Sequence, residues 1–259
     1  MDDMTLLDIA FGLAERAGAK ILEVRARGFD VNRKSDASPV TEADHAAEAV
    51  IVAGLRAATP DIPVVAEEEI AGGHVPDHAE AFWLVDPLDG TREFSAGRDE
   101  FAVCIGLVRN GRAVMGVVGA PAQGELFGGI VGVGAWKRSA AGQVAISTRE
   151  IPAEGMAVVA SRHDADDPRL APYLEGRKIA SLLNIGSALK FCRVAEGIAD
   201  LYPRFGRTME WDTAAAQAVV EAAGGAVLVA NTGAPFSYGK PGWENPGFIC
   251  WGRLPPAQG

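Results

Sequence analysis

The sequence is poor in cysteine and in basic residues, and each shortage excludes a class of protein. Its three cysteines, Cys104, Cys192 and Cys250, lie far apart in 259 residues, which fits neither a disulfide framework nor a zinc-ligand spacing. We expect buried thiols in a reducing compartment. Lys and Arg number 24 against 34 Asp and Glu, a formal charge of -10. Because non-specific binding to nucleic-acid polymers or anionic membranes needs clustered basic side chains, neither partner is expected.

Long apolar runs are missing as well. No stretch offers the roughly 18 uninterrupted apolar residues of a membrane span, and the start MDDMTLLDIA lacks the basic and apolar regions of a secretory signal. These two absences predict a cytoplasmic protein. With 48% hydrophobic and 22% charged residues, the chain has an ordinary globular composition. Its length suits one large domain or two lobes that share a core.

The spacing of apolar residues changes along the chain. Helical periodicity predicts an amphipathic helix over residues 5–27 and a second in TEADHAAEAVIVAGLRAA, where Thr41 and Asp44 fit a capping box. Short strand-like runs follow, and Asn110-Gly111 between two of them predicts an antiparallel hairpin. After about residue 150, strand and helix patterns alternate, which is typical of an α/β arrangement.

One apolar run ends in DPLDGT. Pro87 disfavours a central strand, so the chain is expected to turn there and bring Asp86 and Asp89 to the same side. Gly90 permits a close approach of the backbone to a ligand, and the Gly90 and Thr91 amides could face an anion if a helix begins there. The same residues also suit an Asp-capped turn that binds nothing.

Other acidic residues allow the same two interpretations. The glutamates 67–69 follow an apolar pair and are expected to form a solvated loop unless cations neutralise them. Asp212 suits the N-cap of a helix that ends at Gly224-Gly225. Taken together, however, four acids lie where a strand-like run ends or a helix begins, as ligand residues do in open α/β sheets. Oxygen ligands without Cys or His suit Mg²⁺. The four are Glu67, Asp86, Asp89 and Asp212.

Three motifs, EEE, DPLDGTREF and MEWDTAAAQAVVEAAGG, in this order and separation, resemble the signatures of the inositol monophosphatase superfamily of Mg²⁺-dependent, lithium-sensitive phosphatases. The resemblance covers nearly the whole chain. The stretch GSALKFCRVAEGIADLYPRFGRTMEWDTAA, with REF after DGT, looks closest to the CysQ-type 3′(2′),5′-bisphosphate nucleotidases. Those enzymes remove the 3′-phosphate of adenosine 3′,5′-bisphosphate, a by-product of sulfate assimilation.

The resemblance implies a five-layer αβαβα sandwich of the sugar phosphatase type. An α+β lobe over residues 1–150 would carry most metal ligands, and an α/β lobe over 151–259 would carry the specificity residues and Asp212. Two or three Mg²⁺ ions are expected. Their implied ligands are Glu67, Asp86, Asp89, Asp212 and the carbonyl of Leu88.

The resemblance also implies roles in catalysis and substrate binding. Thr91 and Glu67 would orient and deprotonate the attacking water, and Asp44 would support a further metal or its water. The phosphate ester would be held by the Gly90 and Thr91 amides, Ser187, Lys190, Arg204 and His163. Taken alone, Ser187 equally suits a helix N-cap, and the Lys, Arg and His suit a solvated surface.

Other functions are compatible with parts of this pattern. Members of the same superfamily hydrolyse inositol 1-phosphate or fructose 1,6-bisphosphate. A catalytically silent metal- or nucleotide-binding module would be favoured by a missing ligand, whereas all four acids and Thr91 are present. A Rossmann-type dehydrogenase is rejected, because GGIVGVGAW lacks the G-x-G-x-x-G fingerprint. The expected substrate is a small phosphate ester, and the oligomeric state stays open.

Overall fold

The computed structural model describes residues 1–34, 39–76, 79–162 and 167–254. The helices in these ranges are α1 Asp3–Arg27, α2 Glu42–Ala58, α3 Glu67–Ala71, α4 Thr91–Ser95, α5 Leu170–Leu174, α6 Leu189–Ala195 and α7 Glu210–Ala222. The strands of the first half are β1 Val31–Arg33, β2 Pro39–Thr41, β3 Val64–Ala66, β4 Ala81–Asp89, β5 Ala102–Arg109, β6 Arg112–Ala120, β7 Glu125–Ile130, β8 Gly134–Ser139 and β9 Gly142–Ile146. Those of the second half are β10 Met156–Ser161, β11 Ile179–Ile185, β12 Leu201–Arg204, β13 Thr208–Met209, β14 Ala226–Val229, β15 Glu244–Asn245 and β16 Phe248–Trp251.

Two sheets organise the fold. The larger has the strand order β3-β4-β5-β6-β7-β8-β9 and is antiparallel except for the parallel pair β3-β4. The smaller has the order β11-β10-β12-β16-β14 and is mixed, because β10 runs parallel to both its neighbours whereas β16 runs antiparallel to β12 and β14. Two-stranded ribbons join β1 to β2 and β13 to β15.

Helices cover both faces of the larger sheet. Helices α1 and α2 pack on one face, in a core that includes Phe11, Ile51 and Trp83. Helices α6 and α7 pack on the other face and also touch the smaller sheet, whose far side contacts α5 through Tyr173 and Leu174. The layers are therefore αβαβα, which confirms the predicted fold class. Among the residues described, no helix is both long enough and apolar enough to cross a bilayer.

Local signals in the sequence set several of these elements. The predicted capping box is present, since the Asp44 carboxylate accepts a hydrogen bond from the Thr41 amide at 2.8 Å. The predicted hairpin is also present, with Asn110 and Gly111 at positive φ between β5 and β6.

Helix α7 lies unusually close to the larger sheet. A Cβ atom added to Gly106 would stand 2.7 Å from the amide nitrogen of Ala215, and one added to Gly116 would stand 2.1 Å from its carbonyl oxygen. Side chains at either position would collide with the helix backbone. These two glycines therefore set the depth of the helix that carries Asp212.

Candidate active site

The first pair of acids is placed by a bulge in β4. In the ladder with β5, Asp86 pairs with Cys104 and Asp89 pairs with Ala102, so two residues of β4 lie opposite one residue of β5. The prediction that the chain turns at Pro87 is wrong: the strand continues to Asp89, and the missing amide of Pro87 falls within the bulge.

The bulge explains why two acids three residues apart share one face. Side chains alternate along a regular strand, so a spacing of three would put Asp86 and Asp89 on opposite faces. Their partners Cys104 and Ala102 are two apart and lie on the same face of β5. The extra residue restores the match, and the expectation that both carboxylates point to the same side is confirmed.

Gly90 ends the strand in the left-handed region, at φ 94, and α4 begins at Thr91. The Thr91 hydroxyl lies 3.1 Å from Oδ1 of Asp44 and 3.1 Å from the carbonyl oxygen of Leu88, and can donate its proton to either. The other carboxylate oxygen of Asp44 accepts from the amide and the hydroxyl of Thr41. Asp44 thus completes the capping box and also faces the site.

The three glutamates form the first turn of α3, so the predicted solvated loop is wrong. Lys34 Nζ lies 2.6 Å from an oxygen of Glu67 and 2.6 Å from an oxygen of Glu68, and these ammonium contacts offset the mutual repulsion of the glutamates. Glu69 instead pairs with Arg56 at 2.7 Å on the outer side of the helix. Of the two neighbours of Glu67, Glu68 therefore faces the site.

Asp212 is the third residue of α7, not its N-cap as predicted. Its carboxylate accepts a hydrogen bond from the Met209 amide at 2.8 Å, which is the role of the acid in a capping box. Because the helix begins at Glu210, this geometry turns Asp212 back over the first turn and towards Asp89.

The acids raise one another's pKa values. Burial raises the pKa of Asp86 well above its ordinary range, and the nearby charges of Glu67, Asp89 and Asp212 raise it further. Burial, followed by Asp89 and Glu67, does the same for Asp212. For Asp89, burial raises the pKa to about 6 although Lys190 and the Ala188 amide act against it. Three neighbouring carboxylates thus lack enough positive charge from the chain.

This donor set fits a hard divalent cation in chemistry and charge, because it contains carboxylate oxygens and the Leu88 carbonyl without Cys or His. Within the described ranges, no group of three or more His, Cys, Asp or Glu side chains is already arranged around a common point for a metal ion. Several of their oxygens are instead hydrogen-bonded locally: Lys34 contacts Glu67, and the amides of residues 88, 188 and 209 contact the three aspartates. A bound ion would compete with these donors.

A cavity of about 130 Å³ joins this acidic wall to a basic one. Its lining includes six of the predicted site residues: Asp89, Gly90, Ser187, Lys190, Arg204 and Asp212. A larger cavity of about 610 Å³, between α1 and the β8–β9 hairpin, contains none of the predicted site residues. The smaller cavity therefore gathers these six residues, whereas the predicted residues Asp44, Glu67, Asp86, Leu88 and Thr91 do not line it.

The basic wall is built on the turn before α6. Ser187 has a positive φ of 55, and Lys190 is 4% exposed. Lys190 Nζ donates to the carbonyl oxygens of Ile185, at 3.2 Å, and Ser187, at 2.5 Å, which uses two of its three protons. Burial lowers the pKa of Lys190 to about 8, although Asp89 and Glu93 favour its charged form. His163 lies outside the described residues.

Sequence reasoning missed some residues around the cavity. Glu93, Tyr202, Thr208 and Thr213 also line it, and Lys34 contacts Glu67. Thr213 follows Asp212 directly, so its proximity could have been anticipated. Glu93 is only 3% exposed, which nothing in the local pattern indicates, because a glutamate in a short helix usually faces solvent.

Known proteins share this architecture. A model of the inositol monophosphatase family matches residues 2–249. The protein named 3′(2′),5′-bisphosphate nucleotidase CysQ in Escherichia coli O157:H7 is 46% identical over 94% of this chain and 98% of its own length. The protein of that name in Salmonella typhimurium is 46% identical over 85% and 88%.

Solved structures agree with these sequence relatives. The crystal structure of CysQ from Bacteroides thetaiotaomicron superposes with a TM-score of 0.81 at 34% identity, covering 95% of this chain and 97% of that one. The inositol monophosphatase from Anabaena gives 0.76 at 28% identity, covering 96% and 91%. Members of this family are metal-dependent phosphatases, and that is the class of enzyme that this chain represents. The chain belongs to the inositol monophosphatase family.

Proposed function

We propose that this protein is a Mg²⁺-dependent 3′(2′),5′-bisphosphate nucleotidase that hydrolyses adenosine 3′,5′-bisphosphate to AMP and phosphate. The observation that carries the proposal is the cavity that Asp89 and Asp212 line together with Lys190 and Arg204. A substrate with two phosphates needs a cation-binding wall for the one that is cleaved and a basic wall for the one that is retained. The names of the relatives at 45–46% identity support the same substrate.

The acids are proposed to hold two or three Mg²⁺ ions. When bound, Mg²⁺ neutralises charge on the phosphate and makes a water molecule more acidic. The residues that would hold it are Glu67, Asp86, Asp89, Asp212 and the carbonyl of Leu88. Their mutual repulsion supports this role, because an external cation would relieve it.

Glu67 and Thr91 are proposed to orient and deprotonate the attacking water. When the Thr91 hydroxyl donates its proton to Asp44, 3.1 Å away, its oxygen is free to accept a hydrogen bond from that water. The water oxygen bonds to phosphorus while the bond to the 3′-oxygen breaks. The proton removed from the water is returned to the 3′-oxygen of AMP, and no covalent bond to the enzyme is needed. Asp44 thereby supports the water indirectly, by accepting the proton of the Thr91 hydroxyl.

Substrate binding is proposed to use both sides of the cavity. The Gly90 and Thr91 amides would hold oxygens of the reacting phosphate. Lys190 has one N–H left after its two carbonyl contacts, and we assign that proton to the retained end of the substrate. The remaining proposed contacts are Ser187, Arg204 and His163.

The two-lobe division at about residue 150 and a cytoplasmic location complete the proposal. All strands of the larger sheet lie before residue 147 and all strands of the smaller sheet lie after 155, which supports the division.

A substrate panel tests the function. Phosphate release is measured from adenosine 3′,5′-bisphosphate, inositol 1-phosphate and fructose 1,6-bisphosphate, with Mg²⁺ and with added Li⁺. We expect the highest kcat/KM for the nucleotide and inhibition by Li⁺. A preference for either sugar phosphate would assign the chain to another branch of the family, and release from none of the three would indicate a silent binding module.

A further inference from the structure

Residues 237–245, here called the clasp segment, pack against the start of the helix that carries Asp212. Its last two residues form β15, which pairs antiparallel with β13, with Asn245 opposite Thr208. Strand β13 leads directly into α7. The clasp segment therefore contacts the chain just before Asp212.

A buried ion pair fixes this contact. Glu210 is fully buried, at 0% exposure, and both of its carboxylate oxygens are hydrogen-bonded. One accepts from the Gly239 amide at 2.7 Å, and the other accepts from the amide and the ammonium of Lys240, at 2.9 and 2.5 Å. A buried carboxylate is tolerated only with such compensation, so Glu210 holds the clasp segment strongly.

Asn245 extends the contact to the other side of Asp212. Its side-chain amide donates to the Met209 carbonyl at 2.7 Å and to the Thr213 hydroxyl at 3.0 Å. Its oxygen accepts from Lys240 Nζ at 3.1 Å. The clasp segment thus forms hydrogen bonds with residues 209, 210 and 213, which lie on both sides of Asp212 in the sequence.

Lys240 donates all of its ammonium protons within this network. Its ammonium donates to Glu210, to Asn245 and to the Ser237 carbonyl, which accounts for all three protons. Lys240 is also absent from the cavity lining. It is therefore a positioning residue and not a contact for substrate.

Asp212 needs support of this kind because its neighbours repel it. Asp89 lines the same cavity as Asp212, and two carboxylates gathered in one cavity repel each other. Among the residues described, its carboxylate accepts a hydrogen bond only from the Met209 amide. If the first turn of α7 could move, the repulsion would push the carboxylate away from the other acids.

We propose that Glu210 and Lys240 are positioning residues that hold Asp212 in the cation site. The clasp segment lowers the cost of gathering like charges by fixing the backbone on both sides of Asp212. This inference rests on the proposed function, in which Asp212 is a Mg²⁺ ligand. It predicts that loss of this ion pair weakens Mg²⁺ binding as well as stability, whereas loss of a comparable ion pair elsewhere lowers stability alone.

The test is calorimetric titration of the purified full chain with Mg²⁺, with the thermal midpoint measured in parallel. Lys240→Met is expected to weaken Mg²⁺ binding roughly tenfold, as loss of an outer support of a metal ligand commonly does. Lys240→Arg should restore binding to within about twofold, because it keeps the charge and the donors. Activity should follow, with a higher Mg²⁺ requirement but a kcat that recovers at saturation.

Arg149→Met is the matched control. The Arg149–Asp200 pair also joins a partly exposed base, 37%, to a buried acid, 1%, whereas the values for Lys240 and Glu210 are 27% and 0%. The control should lower the thermal midpoint and leave Mg²⁺ affinity unchanged. Equal Mg²⁺ affinities in Lys240→Met and Arg149→Met would overturn the inference.

Two further variants keep the outcomes distinct. If Lys240→Met does not fold, Asn245→Ala replaces it, and unchanged Mg²⁺ affinity in that variant counts against the inference. Asp212→Asn tests the premise itself. If Asp212→Asn binds Mg²⁺ normally, the proposed ligand set fails. If it binds weakly while Lys240→Met binds normally, only the positioning role fails.

Discussion

Two aspartates in the second half of the chain have opposite surroundings. Asp200, 1% exposed, receives both arms of Arg149 at 2.8 Å and the Ala157 amide at 2.7 Å. Asp212 is partly buried at the cavity and lies near Asp89 and Glu67. An acid that has its own cation within the chain serves the fold. An acid surrounded by other acids would be neutralised by a cation from outside, and this difference supports the proposed active site.

The sharpest way to break this comparison is to neutralise each aspartate in turn. Asp212→Asn, like Asp89→Asn, should lower kcat by roughly 10²–10³-fold or more, because it removes charge that stabilises the transition state. The fold should survive, since the change relieves repulsion. Asp200→Asn should instead destabilise the protein by about 2 kcal/mol, less than for a fully buried pair because Arg149 is partly exposed.

Phosphate release and thermal unfolding distinguish the two outcomes. Near-normal turnover of Asp212→Asn or Asp89→Asn at saturating Mg²⁺ would contradict the ligand assignment. A low thermal midpoint for Asp212→Asn combined with a normal one for Asp200→Asn would reverse the comparison.

A pH series makes a smaller and graded test. The pKa of Asp89 rises in the folded protein from 3.8 to about 6, so its protonated form stabilises the fold at low pH and this stabilisation is lost as pH rises through that interval. Without divalent cations, the contribution of Asp89 to the thermal midpoint should therefore decrease as the pH rises between these two values. Mg²⁺ should remove it, because the cation favours the charged carboxylates.

Thermal unfolding across this interval, with EDTA or with Mg²⁺, checks the prediction. Asp89→Asn serves as the control. Its curves with EDTA and with Mg²⁺ should converge at the upper end of the interval, because the variant lacks the titrating carboxylate. Parallel curves for the native chain with and without Mg²⁺ would show that the acids do not share a cation.

Lys190 tests the border between the two kinds of environment and should give the smallest effect. It lines the acidic cavity and is itself a cation that the chain supplies beside Asp89. Lys190→Ala should lower kcat/KM roughly tenfold more for the bisphosphate than for a monophosphate, the scale of one charged hydrogen bond. Equal losses on both substrates would mean that Lys190 serves Asp89 as Arg149 serves Asp200.

Local patterns predicted the features that depend on neighbouring residues. The periodicity of α1, the capping box at Thr41 and Asp44, and the Asn110-Gly111 hairpin each follow from a few consecutive side chains. The family motifs predicted the layer order, because they span almost the entire chain. The placement of the metal ligands within a single site stays a prediction.

Features that depend on pairing between distant segments could not be read in this way. Pro87 favours a turn in the sequence. The structure instead keeps Asp86 and Asp89 paired with β5 around a bulge, and pairing with a distant strand cannot be read from the local pattern. Glu68 and Glu69 are equivalent in the sequence, and only Lys34 and Arg56 distinguish their directions. The clasp segment was unrecognised because its Lys240 and Asn245 act on residues about 30 positions earlier.

The bulge in β4 also fixes the direction of the second aspartate. If β4 and β5 paired without it, each residue after Asp86 would slip by one position, and Asp89 would lie opposite Phe101 instead of Ala102. The second carboxylate would then point to the reverse side of the sheet, among the apolar residues under α1 and α2. A chain could lose its chemistry in this way while keeping every acidic residue, so the pairing of DPLD with β5 constrains the enzyme as strictly as its composition does.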